Sequence, residues 1–339
     1  MTQQTAIEAT LVQPMLTGDE PADWDKVEPA GSSAIVGAGR LVAGRYRFLA
    51  LLGRGGMGRV WLAQDEVLHR RVALKQVLRG RVPEDPRASA LNEARAAAQP
   101  DDIGVVRVYD LVEDADGSPW IVMELLSGRT LAETLDADGP LPIAEVARIG
   151  LLLLDVLQAV HRAGLVHCDV KPANVHLCDG GRVVLTDFGI ACSVDEESTV
   201  ASGGLAGSPA YISPERACGD EIGPASDMFS LGATLFAAVE GRSPFGTGEP
   251  FSTLVAVVED PPGPFLNAGL LRPLIEGLLT KKPVRRLTAD QARLVLHCIQ
   301  SGLRRARASA ARPAAVRRPG WRPPSPSLTA GNETSSTTP

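Results

Sequence analysis

Three groups of residues in this chain have types and spacings suited to handling a phosphate. Gly53-Arg54-Gly55-Gly56-Met57-Gly58-Arg59-Val60 fits G-x-G-x-x-G-x-V, where missing side chains let backbone N–H groups approach phosphate oxygens. Alone, the pattern fits an ordinary hairpin turn equally well. It is not a dinucleotide fingerprint, which needs a helix directly after the glycines, because RVWLAQDE reads as a strand; nor is the phosphate loop G-x-x-x-x-G-K-[ST] present. Val72-Ala73-Leu74-Lys75 follows as a third strand, from which a lysine can reach over the glycines to the α- and β-phosphates of a nucleotide. A lysine in a strand is usually a solvated edge residue, but Glu93, on the next expected helix, offers an ion-pair partner that would fix it.

The most informative stretch is His167-Cys168-Asp169-Val170-Lys171-Pro172-Ala173-Asn174, which fits H-x-D-x-K-P-x-N, and Thr186-Asp187-Phe188-Gly189 follows it. This ordered set resembles the catalytic motifs of protein kinases, in particular bacterial Hanks-type serine/threonine kinases, from about Tyr46 to Gly302. The resemblance implies Mg²⁺-ATP as cofactor, with Mn²⁺ as a substitute, and protein Ser/Thr hydroxyls as acceptors. Phosphoryl transfer is mainly positioning and charge neutralisation. By resemblance Asp169 orients the acceptor hydroxyl and takes its proton, Lys171 contacts the γ-phosphate, and Asn174 and Asp187 hold the metal. Lys75 and Glu93 complete the catalytic set. His167 is expected to pack and hydrogen-bond beneath the loop and not to act as a base. The implied ATP site comprises Gly53, Arg54, Gly55, Gly56, Met57, Gly58, Val60, Ala73 and Lys75, with Met123 as gatekeeper and Glu124 to Leu126 as the hinge.

Ser208-Pro209-Ala210-Tyr211-Ile212-Ser213-Pro214-Glu215 resembles the end of an activation segment, with Ser208 and Ser213 replacing the usual threonine and alanine. Glu215 is expected to pair with Arg286, and Asp227 to brace the catalytic loop through its backbone. Leu287 stands where the family usually has proline. Cys168 is the consequential departure, since the family commonly has there an arginine that binds a phosphate on the activation segment. Activity is therefore expected to depend less on segment phosphorylation, although Ser193, Ser198, Thr199 and Ser202 remain acceptors for autophosphorylation. A redox role for Cys168 needs a lowered thiol pKa that sequence does not establish, and a neutral replacement is the simpler reading.

The elements needed to position these residues are legible as well. Residues 1–43 lack sustained periodicity and read as a disordered lead-in. YRFLALLG, RVWLAQDE, RRVALKQVL, VVRVYDLVED and PWIVMELL read as five antiparallel strands, the last two joined at Asp116-Gly117, with one helix opening at Asp85-Pro86. Val146, Ile149, Leu153, Val156 and Val160 repeat at helical spacing, and helical patterns return after Asp227. The expected fold is α+β and bilobal, with a kinase domain over 44–302: an N-lobe over about 44–126 and a mostly α C-lobe over about 127–302. A disordered tail over 303–339, basic and then Ser/Thr-rich, is expected to follow.

Composition narrows the class further. The net charge of −6 argues against a primary nucleic-acid binder. Five cysteines without C-x-x-C spacing suggest neither a disulfide framework nor a zinc site, so the cytoplasm is the expected location. No secretory signal is read, and the longest apolar run falls short of the ~20 residues that span a bilayer. Two rival readings stand beside the kinase: a pseudokinase scaffold that binds without catalysis, and a small-molecule kinase of the same fold, against which the full activation segment argues. An N-lobe homodimer is implied by resemblance only, and the basic tail reads as a linker with weak membrane-surface contact as the alternative.

Overall fold

The computed structural model describes residues 39–55, 58–77, 86–189, 191–193, 208–246 and 248–310. The first part of the fold is a curled antiparallel sheet. Its strands are β1 (Leu41–Val42), β2 (Tyr46–Gly55), β3 (Gly58–Asp65), β4 (Arg70–Val77), β5 (Val108–Glu113) and β6 (Pro119–Met123), with α1 (Pro86–Ala98) between β4 and β5. Their order is β1-β2-β3-β4-β6-β5. The five expected strands are β2 to β6. The sixth, β1, lies within the segment expected to be disordered; Leu41 and Val42 fold back to pair with Arg47 and Tyr46, too short a run to show periodicity.

Alternation along these strands decides what faces the site. Val60 lies opposite Lys75, Leu62 opposite Ala73, and Ala73 opposite Met123, so these side chains share one face of the sheet. Their neighbours Trp61, Val72, Leu74, Trp120 and Val122 take the other face and join Tyr46 and Phe48 in a buried cluster. There Phe48 stacks on Trp61 at 4.7 Å between ring centroids. On the Lys75 face, Ala90 and Ala94 of α1 pack on Ile121. Small residues let the helix approach closely, which brings Glu93 within reach of the lysine. Between β5 and β6, Gly117 adopts φ 77°, a backbone that glycine adopts readily, and the Ser118 N–H donates to Asp116 at 2.9 Å.

The second part is mostly helical. It contains β7 (Arg129–Thr130), α2 (Leu131–Asp138), α3 (Ile143–Arg162), β8 (Leu165–Val166), β9 (Val175–Leu177), β10 (Val183–Leu185), β11 (Cys192–Ser193), α4 (Pro214–Cys218), α5 (Pro224–Glu240), α6 (Pro250–Glu259), α7 (Arg272–Leu278) and α8 (Ala289–Ala310). Thr130 and Glu133 form a reciprocal capping box that starts α2. The apolar stripe of α3 buries Val146, Ile149, Leu153, Leu157 and Val160, and α5 is buried along nearly its whole length, with Pro224 in its first turn and Gly241 ending it at φ 70°. These two helices are the floor on which the loops of the site rest. The antiparallel pair β9 and β10 holds the connection between Asn174 and Asp187 in register.

One expected boundary moves at the C-terminal side. Helix α8 runs on to Ala310, so the first residues of the tail expected from 303 are helical. Arg304, Arg305 and Arg307 stand among Ala306, Ala308 and Ala310 there, and both residue types favour helix even without an apolar stripe. The tail beyond 310, like most of the lead-in, lies outside the described residues. No helix among the described residues is long and apolar enough to cross a membrane.

Candidate active site

The glycine-rich stretch is the tip of the β2–β3 hairpin, with Gly53 paired to Val60, Arg54 to Arg59 and Gly55 to Gly58. Gly58 has φ 152°, a conformation side chains rarely adopt. Gly56 and Met57 lie outside the described residues. Lys75 donates to Glu93 Oε1 at 2.5 Å and to Asp187 Oδ1 at 2.7 Å, and its side chain is only 8% exposed. Burial alone would lower the lysine pKa, but the two carboxylates outweigh it and hold the pKa above its ordinary value. Burial raises Glu93, with the charge of Asp187 adding to the effect. Asp187 goes the other way: burial opposes its ionisation, yet Lys75 and Lys171 hold its pKa below the ordinary value. One lysine thus serves two carboxylates, which leaves negative charge in the cleft for a cation to neutralise. A cavity of about 70 Å³ opens beside them, lined among others by Met123, Ile121, Thr186 and Phe188.

Asp169 is held on every side. Lys171 Nζ lies 2.7 Å from its Oδ2, and the Asn174 amide nitrogen donates both to that oxygen and to the Asp169 carbonyl, each at 2.8 Å. Its own N–H donates to His167 Nδ1 at 3.2 Å, so the imidazole proton sits on Nε2, which donates to the Thr186 carbonyl at 3.1 Å. Burial pushes the His167 pKa down and keeps the ring neutral. The ring also meets Phe188 edge-on at 4.6 Å. His167 therefore ties the loop bearing Asp169 to the segment bearing Asp187, the packing role expected of it.

The donor set fits a hard cation. The Asn174 nitrogen is engaged by Asp169, so its amide oxygen is the atom left to face a metal, together with the Asp187 carboxylate. No group of three or more His, Cys, Asp or Glu suited to a metal occurs among the described residues. The pair of oxygens from Asn174 and Asp187 fits Mg²⁺, which is commonly held by one or two protein oxygens plus phosphates and water. Asp187 adopts φ 67°, a left-handed conformation uncommon for a non-glycine residue and concentrated at functional sites.

Two buried anions brace this machinery. Asp227 accepts the backbone N–H groups of His167 at 2.9 Å and Cys168 at 2.8 Å, and pairs with His161 Nε2 at 2.8 Å. Glu215 receives Arg286 through two bonds of 2.7 and 2.9 Å and the Ser226 hydroxyl at 2.7 Å. At the expected hinge, Glu124 exchanges backbone and side-chain bonds with Arg107 and accepts two 2.8 Å bonds from Arg182, whose Nε also donates to the Ile103 carbonyl. Leu126 is half-buried beyond it.

The residues expected to share a cleft fall into two bonded sets, Lys75 with Glu93 and Asp187, and Asp169 with Lys171, Asn174, His167 and Thr186, which the Thr186–Asp187 peptide joins. Ser193 lies in β11 opposite Leu165, and Ser208 precedes a 3-10 turn over Pro209–Tyr211. Ser198, Thr199 and Ser202 lie outside the described residues. Sequence reasoning missed Arg182, Arg216 and His161. The first two carry no local signal, because each meets its partner across a long stretch of chain.

Comparison with known proteins agrees with this geometry. A family model described as the protein kinase domain matches residues 46–295. Serine/threonine-protein kinase PknA of Mycobacterium tuberculosis is 38% identical over 257 residues, which cover 73% of this chain and 59% of that protein. A probable serine/threonine-protein kinase PknB of Corynebacterium glutamicum is 36% identical over 231 residues, covering 66% of this chain and 36% of that protein. A probable serine/threonine-protein kinase of Streptomyces coelicolor is 34% identical over 276 residues, covering 78% and 41%. The chain spans less than two thirds of the length of each of these relatives.

Proposed function

This chain belongs to the protein kinase family, and we propose that it transfers the γ-phosphoryl group of ATP to serine or threonine hydroxyls of proteins. The observation that carries the reading is the fixed carboxylate of Asp169, held by Lys171 and Asn174 in the cleft where Lys75 meets Asp187. Lys75, steadied by Glu93, would bind the α- and β-phosphates. Asp169 would orient the acceptor hydroxyl and take its proton, while Lys171 Nζ, on the same carboxylate, stands ready for the γ-phosphate. Asn174 and Asp187 would hold a divalent ion, Mg²⁺ with Mn²⁺ as a substitute, which when bound neutralises phosphate charge. Backbone groups from Glu124 to Leu126 would receive adenine under the gatekeeper Met123. Lys171 and the serine/threonine kinase names of the relatives support the choice of acceptor.

The test is to incubate the purified chain with Mg²⁺ and γ-labelled ATP, beside Lys75→Met and Asp169→Asn. Label transferred to itself or to a generic basic protein, and lost in both variants, supports the reading. ATP binding without transfer by the wild type favours the pseudokinase scaffold. Autophosphorylation at Ser193, Ser198, Thr199 or Ser202, an N-lobe homodimer, a cytoplasmic location and the linker role of the basic tail belong to the same proposal.

A further inference from the structure

The residue before Asp169 has both its main-chain polar groups held by charged side chains. This residue, Cys168, is buried and adopts φ 66°, a left-handed backbone that a β-carbon disfavours and that persists only where the surroundings hold it. Its N–H donates to Asp227. Its carbonyl accepts a bond from Arg216 Nη1. That carbonyl belongs to the peptide joining Cys168 to Asp169, and the N–H of the same peptide is taken by His167 Nδ1. This one peptide plane sets the main chain from which Asp169 projects, while Lys171 and Asn174 hold its carboxylate.

Arg216 is well placed to fix this plane. It lies on α4, next to Glu215, which Arg286 and Ser226 fix in the interior. The guanidinium thus leaves a rigid anchor at the end of the activation segment and reaches the backbone of the catalytic loop. A bond from a cation to a buried carbonyl is stronger than one between neutral groups.

We propose that Arg216 is a positioning residue: through the Cys168 carbonyl it locks the peptide from which Asp169 projects, and so couples the end of the activation segment to the catalytic loop with a permanent charge in place of an added phosphate. The proposal rests on the phosphotransfer reading. It also gives the cysteine a reason: with the tie made to its main chain, the side chain at 168 need carry no charge.

The experiment compares wild type, Arg216→Met and Arg216→Lys in steady-state transfer from γ-labelled ATP to a serine-containing peptide, with thermal melting alongside. Methionine keeps the packing of the aliphatic stem and cannot donate; lysine keeps the cation. The expected result is a fall in kcat of roughly 10- to 100-fold in Arg216→Met, since small misplacement of a catalytic group has effects of that size. KM for ATP should stay within about twofold, with most of the lost rate recovered in Arg216→Lys. Full kcat in Arg216→Met overturns the proposal. So does a parallel loss of kcat, ATP affinity and melting temperature in both variants, which marks a structural part only. Failure of the wild type itself to transfer phosphate contradicts the kinase reading and removes the tie with it; transfer by wild type with an indifferent Arg216 contradicts the tie alone.

Discussion

Lys75 Nζ stands 2.7 Å from Asp187 Oδ1 across 112 positions of sequence, and the same nitrogen holds Glu93 at 2.5 Å. A strand, a helix and a loop between two short strands must all be in place for this three-residue contact to form. It therefore reports the assembly of the whole cleft.

Replacing Lys75 by methionine leaves two carboxylates facing each other without their cation. Transfer should fall by about 10²- to 10³-fold, the range for losing one preorganised electrostatic partner. Stability should fall too, and with a recognisable pH dependence. Burial and Asp187 raise the Glu93 pKa while Lys75 opposes the rise, so without the lysine the folded state binds a proton more readily than it does in wild type, and the variant regains stability as pH falls. The melting deficit of Lys75→Met relative to wild type should be smaller at pH 5 than at pH 7.5. An equal deficit at both would contradict the assignment.

Glu215 and Arg286 form a buried pair, with side chains 5% and 0% exposed. Removing one partner strands the other, which costs about 3–5 kcal/mol. Arg286→Ala and Glu215→Ala should each lower the melting temperature by many degrees, and the double variant by less than the sum. Burial alone would raise the Glu215 pKa, but the bonds from Arg286 hold it below its ordinary value of 4.5. A depressed carboxylate contributes stability that is complete above its unfolded pKa and lost as pH falls through the folded one. Acid unfolding below about pH 4.5 should accordingly be shallower in Glu215→Gln than in wild type.

The hinge carries its own test. Arg182 grips Glu124 through both carboxylate oxygens and the Ile103 carbonyl through Nε. Arg182→Ala frees the hinge side chain while leaving Lys75, Asp169 and Asp187 untouched. KM for ATP should rise by roughly 2- to 10-fold with kcat nearly unchanged, the pattern of lost uniform binding. A selective fall in kcat would place Arg182 elsewhere in the mechanism.

Most of this candidate site is legible in the sequence, because it is written as short motifs whose internal spacing is fixed by loops: Gly53 to Val60, His167 to Asn174, and Asp187 with its neighbours. The strands are legible because runs such as RVWLAQDE and RRVALKQVL are apolar-rich and bounded by glycine-rich or polar turns. What stayed hidden depends on contacts without a sequence period. Arg216 meets a main-chain carbonyl, an acceptor that every residue has. Arg182 finds Glu124 from 58 positions away. Strand β1 is two residues long and needs Tyr46 and Arg47 to exist. The last turns of α8 rest on alanine and arginine propensity, which the same composition disguises as a linker.

If the segment end is tied to the catalytic loop by Arg216, replacing Ser193, Ser198, Thr199 and Ser202 together by alanine should leave more than about half of the activity, since no phosphate is required to order the loop. Turnover measured on protein produced with a phosphatase checks this. A collapse to background would return control to segment phosphorylation.

The most direct measurement is a crystal structure of the protein with Mg²⁺ and a non-hydrolysable ATP analogue. The account predicts the triphosphate beneath the β2–β3 hairpin, with Lys75 Nζ on the α- and β-phosphates and the metal between them bound by the Asn174 amide oxygen and Asp187. A nucleotide seated elsewhere, or a metal that avoids both residues, would contradict it.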